Sequence, residues 1–160
     1  MKRLIAVLFA LVLFAVPAFA GIPAKSELGL VGEFIKLDGD GPDPWTVNVD
    51  LLFPVSESGH LLIGPAVAVG QDDNLNRLGG AFEWNLVSAK HGPFIGASAY
   101  GFQKDTEGMD RHTVVARAGF KFGVGAGNGA AIKVYAFQIV DGRGADESDL
   151  SVAAGIVARF

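Results

Sequence analysis

The chain contains no cysteine at all. That excludes a disulfide framework, a thiolate metal site and a lipid-acylated cysteine anchor. It is also short of positive charge: 13 Lys and Arg stand against 17 Asp and Glu, a formal net charge of −4. With no basic cluster, nucleic acid is not an expected partner. Beyond the first twenty residues, no apolar run approaches the length of a membrane-spanning helix. What is abundant is glycine (22) and phenylalanine (12), a mixture suited to tight turns and a β-rich body.

The first residues read as a secretory signal. Lys2 and Arg3 form a positive start, Leu4 to Val16 an apolar stretch, and Ala18-Phe19-Ala20 a small-x-small cleavage site. The expected organisation is a cleaved signal peptide at 1–20 and a single domain at 21–160. An uncleaved anchor is the alternative, but the apolar run is short for a spanning helix. Loss of Lys2 and Arg3 leaves 11 basic residues against 17 acidic ones, net −6.

Eight strands are expected, over about 26–37, 45–54, 59–70, 76–88, 93–103, 111–124, 129–140 and 149–160. Each is bounded by Gly, Pro, Asp, Asn or Ser clusters. At roughly 10–13 residues they exceed the usual globular strand of about 5–6. They match a tilted membrane-crossing strand of about 9–11 residues with some overhang. The connections alternate between a longer acidic set (38–44, 71–74, 104–110, 141–148) and a shorter set (55–58, 89–92, 125–128). Even spacing without helical period predicts an all-β fold, an eight-stranded antiparallel up-and-down transmembrane β-barrel.

The faces decide between lipid and water outside. In the second strand Trp45, Val47, Val49, Leu51 and Phe53 oppose Thr46, Asn48 and Asp50. In the fourth, Leu78, Phe82, Trp84 and Leu86 oppose Arg77, Glu83 and Asn85. In the sixth, Val114, Ala116, Ala118, Phe120, Phe122 and Val124 oppose Thr113, Arg117 and Lys121. In the first, Leu28, Leu30 and Phe34 oppose Glu27 and Glu33. A soluble barrel needs charge on its outward face, whereas a membrane barrel puts its charge inside. Phe53, Trp84, Phe120, Phe122 and Phe160 fall toward one rim and Phe34 and Trp45 toward the other, like interfacial girdles. Two strands resist this reading, because 93–103 and 129–140 carry large apolar residues on both faces. Pro65 falls inside the third strand, where a bulge is expected.

Glu33, Asp50, Arg77, Glu83, Arg117, Lys121, Lys133 and Arg159 are expected to project into the lumen. There they would pair as a structural network, because an unpaired buried charge is costly. An ion-conducting lumen is the alternative.

The signal ending Ala18-Phe19-Ala20, the eight amphipathic strands and the final Val157-Ala158-Arg159-Phe160 resemble the small eight-stranded outer-membrane proteins. These are the OmpX type and the transmembrane domain of the OmpA type. The resemblance implies a monomeric, water-poor barrel in the cell outer membrane, reached through the periplasm and facing lipid and lipopolysaccharide. It also implies insertion by the outer-membrane assembly machinery, with Phe160 as the assembly signal. The short outer connections depart from barrels that act as adhesins, and a wall-tethering role is not expected.

The candidate general bases are His60, His91 and His112. His112, Thr113 and Asp110 bring a base, a hydroxyl and a carboxylate close in sequence, but neighbouring strand residues point to opposite faces. The acids Asp38, Asp40, Asp43, Asp72, Asp73, Asp141, Asp146, Glu147 and Asp149 crowd the longer connections. They are expected as a wetted rim rather than a cation site. The reading is a structural envelope protein with no catalysis and no cofactor. A lipid-modifying enzyme, a soluble lipocalin-like carrier of an apolar ligand and a narrow channel are the alternatives.

Overall fold

The computed structural model describes residues 23–35, 45–70, 77–88, 90–103, 112–124, 129–142 and 149–160. Residues 1–20 and much of the acidic connections therefore lie outside the described residues. So do Asp38, Asp40, Asp43, Asp72, Asp73, Asp110, Asp146 and Glu147.

Eight strands follow one another: β1 (Glu27–Phe34), β2 (Trp45–Pro54), β3 (Leu61–Gly70), β4 (Arg77–Asn85), β5 (Gly92–Gln103), β6 (Thr113–Gly123), β7 (Ala130–Gly142) and β8 (Ser151–Arg159). Each pairs antiparallel with its sequence neighbour, and β8 returns to β1, closing the sheet. The closing ladder runs in step from Glu27 opposite Arg159 to Phe34 opposite Val152. Closure removes the free edges that invite aggregation. The end holding Glu27 and Arg159 is called the near end here, and the end holding Phe34 and Val152 the far end.

Near-end turns are tight. The Val55 amide donates to the Leu61 carbonyl at 2.9 Å, and the Val124 amide to the Ala130 carbonyl at 3.0 Å. Gly59 turns with φ +69°, a conformation that side chains disfavour.

Period-two alternation places one set of side chains in the lumen and the other outside. In β3, Leu62, Ala66 and Ala68 are buried while Leu61, Ile63 and Val67 are exposed. The lumen is the core. Val31, Leu52, Leu62, Phe94, Tyr135 and Phe137 pack there, together with the charges described below.

The two ambiguous strands resolve. In β5, Phe94, Ser98 and Tyr100 point inward and Ile95 outward. In β7, Lys133, Tyr135 and Phe137 point inward, with Ile132 and Val134 outward. Phe94 and Tyr135 meet edge to face, with centroids 6.0 Å apart. Large aromatics fill the lumen of these strands, and that filling is what made both faces look apolar.

Pro65 corrects the expectation of a bulge. The β3–β4 ladder runs through Pro65 opposite Gly80 without a shift. The β2–β3 ladder keeps one register on both sides but omits Leu51 and Leu52, which face Pro65 and Gly64. Proline has no N–H to give to a ladder, so pairing lapses locally without an inserted residue. The true register shifts lie at Leu78/Gly79 between β4 and β5 and at Val114/Val115 between β6 and β7.

Candidate functional site

The inward charges meet across the barrel rather than along any strand. Arg159, at the end of β8, donates from Nη2 to Glu27 Oε1 at 2.6 Å. Glu27 Oε2 also accepts from Lys121 Nζ on β6 at 2.6 Å. Lys121 pairs in turn with Glu83 on β4. Glu83 pairs with Lys133 on β7 at 2.6 Å, and Lys133 lies 3.6 Å from Asp50 on β2. Asp50 then meets Arg117 on β6 at 3.4 Å. The result is a ladder of seven residues alternating in sign, from the near-end mouth to mid-barrel.

Period-two strands explain the stacking. Arg117 and Lys121 are four residues apart on β6, and Glu27 and Glu33 six apart on β1, so each pair shares a face. Gly29 sits opposite Asp50 in the β1–β2 register. A Cβ at Gly29 would run into the Asp50 carboxylate, so the absent side chain leaves the acid its place. Aromatic faces line the same space. Lys133 Nζ lies 5.0 Å from the Phe94 centroid, and the Arg117 guanidinium 5.7 Å from that of Tyr135. Both fall within cation–π reach.

Beyond Asp50 the lumen changes character. Glu33 is buried but has hydroxyl partners: Tyr135 Oη donates at 2.7 Å and Thr46 Oγ1 at 3.0 Å. Tyr100 Oη donates to Asn48 Oδ1 at 3.2 Å. Arg77 is buried with its guanidinium 5.7 Å from the Tyr100 centroid.

Thus Glu33, Asp50, Arg77, Glu83, Arg117, Lys121 and Lys133 are all buried in the lumen, and Arg159 sits part-buried at its mouth. Sequence reasoning left Glu27 out of this set. The period-two step from Glu33 points to it, since both lie on the same face of the first strand. Among the buried residues, four acids (Glu27, Glu33, Asp50, Glu83) match four bases (Arg77, Arg117, Lys121, Lys133). Balance matters because removing one member strands its partners in a poorly polarisable interior. The side chains of Glu83, Lys121 and Lys133 have no accessible surface. No water-sized space touches them, so a solute passing this level would have to displace packed side chains.

The histidines lie elsewhere. His112 Nε2 is 3.3 Å from Asp141 Oδ2, with both side chains largely exposed at the far end. Thr113 is buried on the opposite face. His60 Nδ1 lies 2.8 Å from the Asn85 carbonyl at the near end, and His91 is exposed. Among the described residues no group of three or more His, Cys, Asp or Glu could hold a metal ion.

The outer wall is the reverse of the lumen. Leu30, Ile63, Val67, Leu78, Phe82, Trp84, Ile95, Phe120, Phe122, Ile132, Val134, Val152 and Ile156 are exposed along it. Among the described residues, Asp141, at the far end of β7, is the ionisable strand residue found on the exposed side.

A solved structure described as "De novo design of transmembrane beta-barrels" is similar in fold, with a TM-score of 0.58. The sequences are 17% identical, and the match covers 86% of this chain and 97% of that one. No protein-family model matches the chain, and no curated protein does. The class defined here is the all-β, eight-stranded, closed antiparallel barrel with sequential strand order.

Proposed function

We propose that this chain is an integral outer-membrane β-barrel with a structural role in the envelope. One observation carries the reading: among the described residues the exposed wall is largely apolar, with Asp141 at its far edge, while buried acids and bases pair inside. In water such a wall would favour association. In a bilayer it meets hydrocarbon, and the closed sheet pairs the backbone polar groups of its strands apart from the local lapse between β2 and β3 at Pro65. Trp84, Phe120, Phe122 and Phe160 are exposed toward the near rim, and Phe34 toward the far rim, where aromatic girdles belong. In this reading the near end faces the periplasm, and lipid and lipopolysaccharide surround a monomer. The assembly machinery inserts it, with Phe160 as the recognition signal.

The packed mid-lumen supports a structural role over a channel. A soluble carrier would need the opposite arrangement, with an apolar cavity inside and charge outside. Thr113, next to His112, points into the barrel while the His112 and Asp141 side chains are exposed, so the three do not share a face, which supports a role without catalysis. The test is cell fractionation with unheated and heated gel electrophoresis. The chain is expected in the outer-membrane fraction, with a mobility that changes on boiling. A soluble fraction with heat-independent mobility would contradict the proposal.

A further inference from the structure

We infer that the near-end mouth of the barrel is a binding site for a phosphate-bearing small molecule, gripped by Lys25, Lys90 and Arg159. A cavity of about 550 Å³ opens there, and Ser58, Ser88 and His60 also line it. That volume lies in the range of small-molecule sites, about 300–1,000 Å³. It exceeds what one phosphate fills, leaving room beside Val87 and Phe160 for an attached organic group.

The charge distribution marks the site. The chain is acidic overall, yet no lining residue has a carboxylate side chain. Of the described lysines and arginines, Arg77, Arg117, Lys121 and Lys133 are buried in the lumen. The other three, Lys25, Lys90 and Arg159, all line this mouth. They reach it from the start of β1, the β4–β5 turn and the end of β8. Lys25 and Arg159 stand together at the β1–β8 seam and Lys90 across the barrel at the β4–β5 turn, so cations flank the mouth from two sides, as an oxyanion with several oxygens requires.

The donors are prepared. The Arg159 side chain is 8% exposed and spends Nη2 on Glu27. Its Nε has no acceptor among the described residues, but as a buried atom it is not open to a ligand in the mouth, so Arg159 acts there through its charge. Lys25 Nζ donates to the main-chain carbonyl of Glu57, a neutral partner. The Glu57 residue itself borders an adjoining depression instead. His60 Nδ1 faces the Asn85 carbonyl at 2.8 Å. The same phosphate chemistry could arrive on a soluble ester or on an anionic lipid headgroup.

The inference rests on near-end geometry and does not need the outer-membrane reading, whose failure would appear in the gel assay. The test is titration of inorganic phosphate, at fixed ionic strength, into the folded full chain in phosphatidylcholine bilayer discs. Saturable heat of binding is expected. Lys90→Ala and Lys25→Ala are each expected to weaken it about tenfold, the loss of one charge-assisted contact. His112→Ala, at the opposite end, is expected to leave it unchanged. Lys25 and Lys90 are exposed, and an unaltered circular-dichroism spectrum confirms that each variant is folded. Discs containing phosphatidylglycerol separate the sources. Weaker phosphate affinity there identifies a lipid headgroup, and equal affinity a soluble ester. Absence of saturable binding in both kinds of disc would overturn the proposal. So would affinity unaltered in both lysine variants.

Discussion

The inner and outer walls of this barrel are built from the same strands, yet they obey opposite rules. Within β6, Arg117 and Lys121 are buried beside acids, while Phe120 and Phe122 on the other face are exposed and pack at 5.1 Å between centroids. A water-soluble barrel sorts its side chains the other way. The contrast teaches that polarity alone does not say which face is interior. The solvent outside decides, and here the inner wall must compensate each charge locally because water does not reach it.

The comparison can be broken from the inside most strongly. Glu83 sits between Lys121 and Lys133. Glu83→Ala leaves both ammonium groups short of a partner and is expected to cost about 3–5 kcal/mol. Urea titration of unfolding in detergent or lipid measures this, and an unchanged midpoint would remove the ladder's structural importance. Breaking the outer wall comes next. Ile156 faces outward, opposite Leu30 and Ile132 in its two ladders. Ile156→Arg is expected to lose about 2–4 kcal/mol in a bilayer, read from the same titration in vesicles. In water the same change would be close to neutral.

A smaller effect sharpens the geometry of the inner wall. Gly29→Val places carbon where the Asp50 carboxylate now lies. The cost is expected to be about 1–3 kcal/mol from overpacking, and the double variant Gly29→Val with Asp50→Ala should recover part of it. The smallest effect belongs to the far rim. Asp141→Asn removes an exposed pairing with His112 and is expected to shift stability by at most about 1 kcal/mol.

Much of this contrast was legible in the sequence. Strands such as β2 and β6 alternate without interruption, and glycine and polar clusters mark their ends. The eight strands and the facing of β1, β2, β4 and β6 follow from that. The facing of β5 and β7 did not, because Phe94, Tyr100, Tyr135 and Phe137 fill the lumen while alanines such as Ala97 and Ala136 face out. Aromatic bulk inside and small residues outside erase the apolar contrast that alternation relies on. A usable signal was nonetheless present, since Lys133 shares parity with Tyr135 and Phe137.

The pairing within the site was less accessible. Glu27 meets Arg159 across 132 residues and Lys121 across 94. These contacts depend on closure and on the register around the barrel, which no local pattern encodes. The lapse at Pro65 was hidden for a related reason. A missing N–H predicts a lost ladder bond, but whether the chain answers with an inserted residue depends on its neighbour strand.

The lack of cysteine makes the decisive measurement clean. Single substitutions Ile156→Cys and Phe82→Cys carry a spin label, with the protein reconstituted in vesicles. Collision rates with oxygen and with a water-soluble nickel chelate are compared at each position. The account predicts high oxygen and low nickel accessibility at both positions, because hydrocarbon bathes the outer wall. Nickel accessibility equal to that of a solvent-exposed turn label at Ser56 would contradict it.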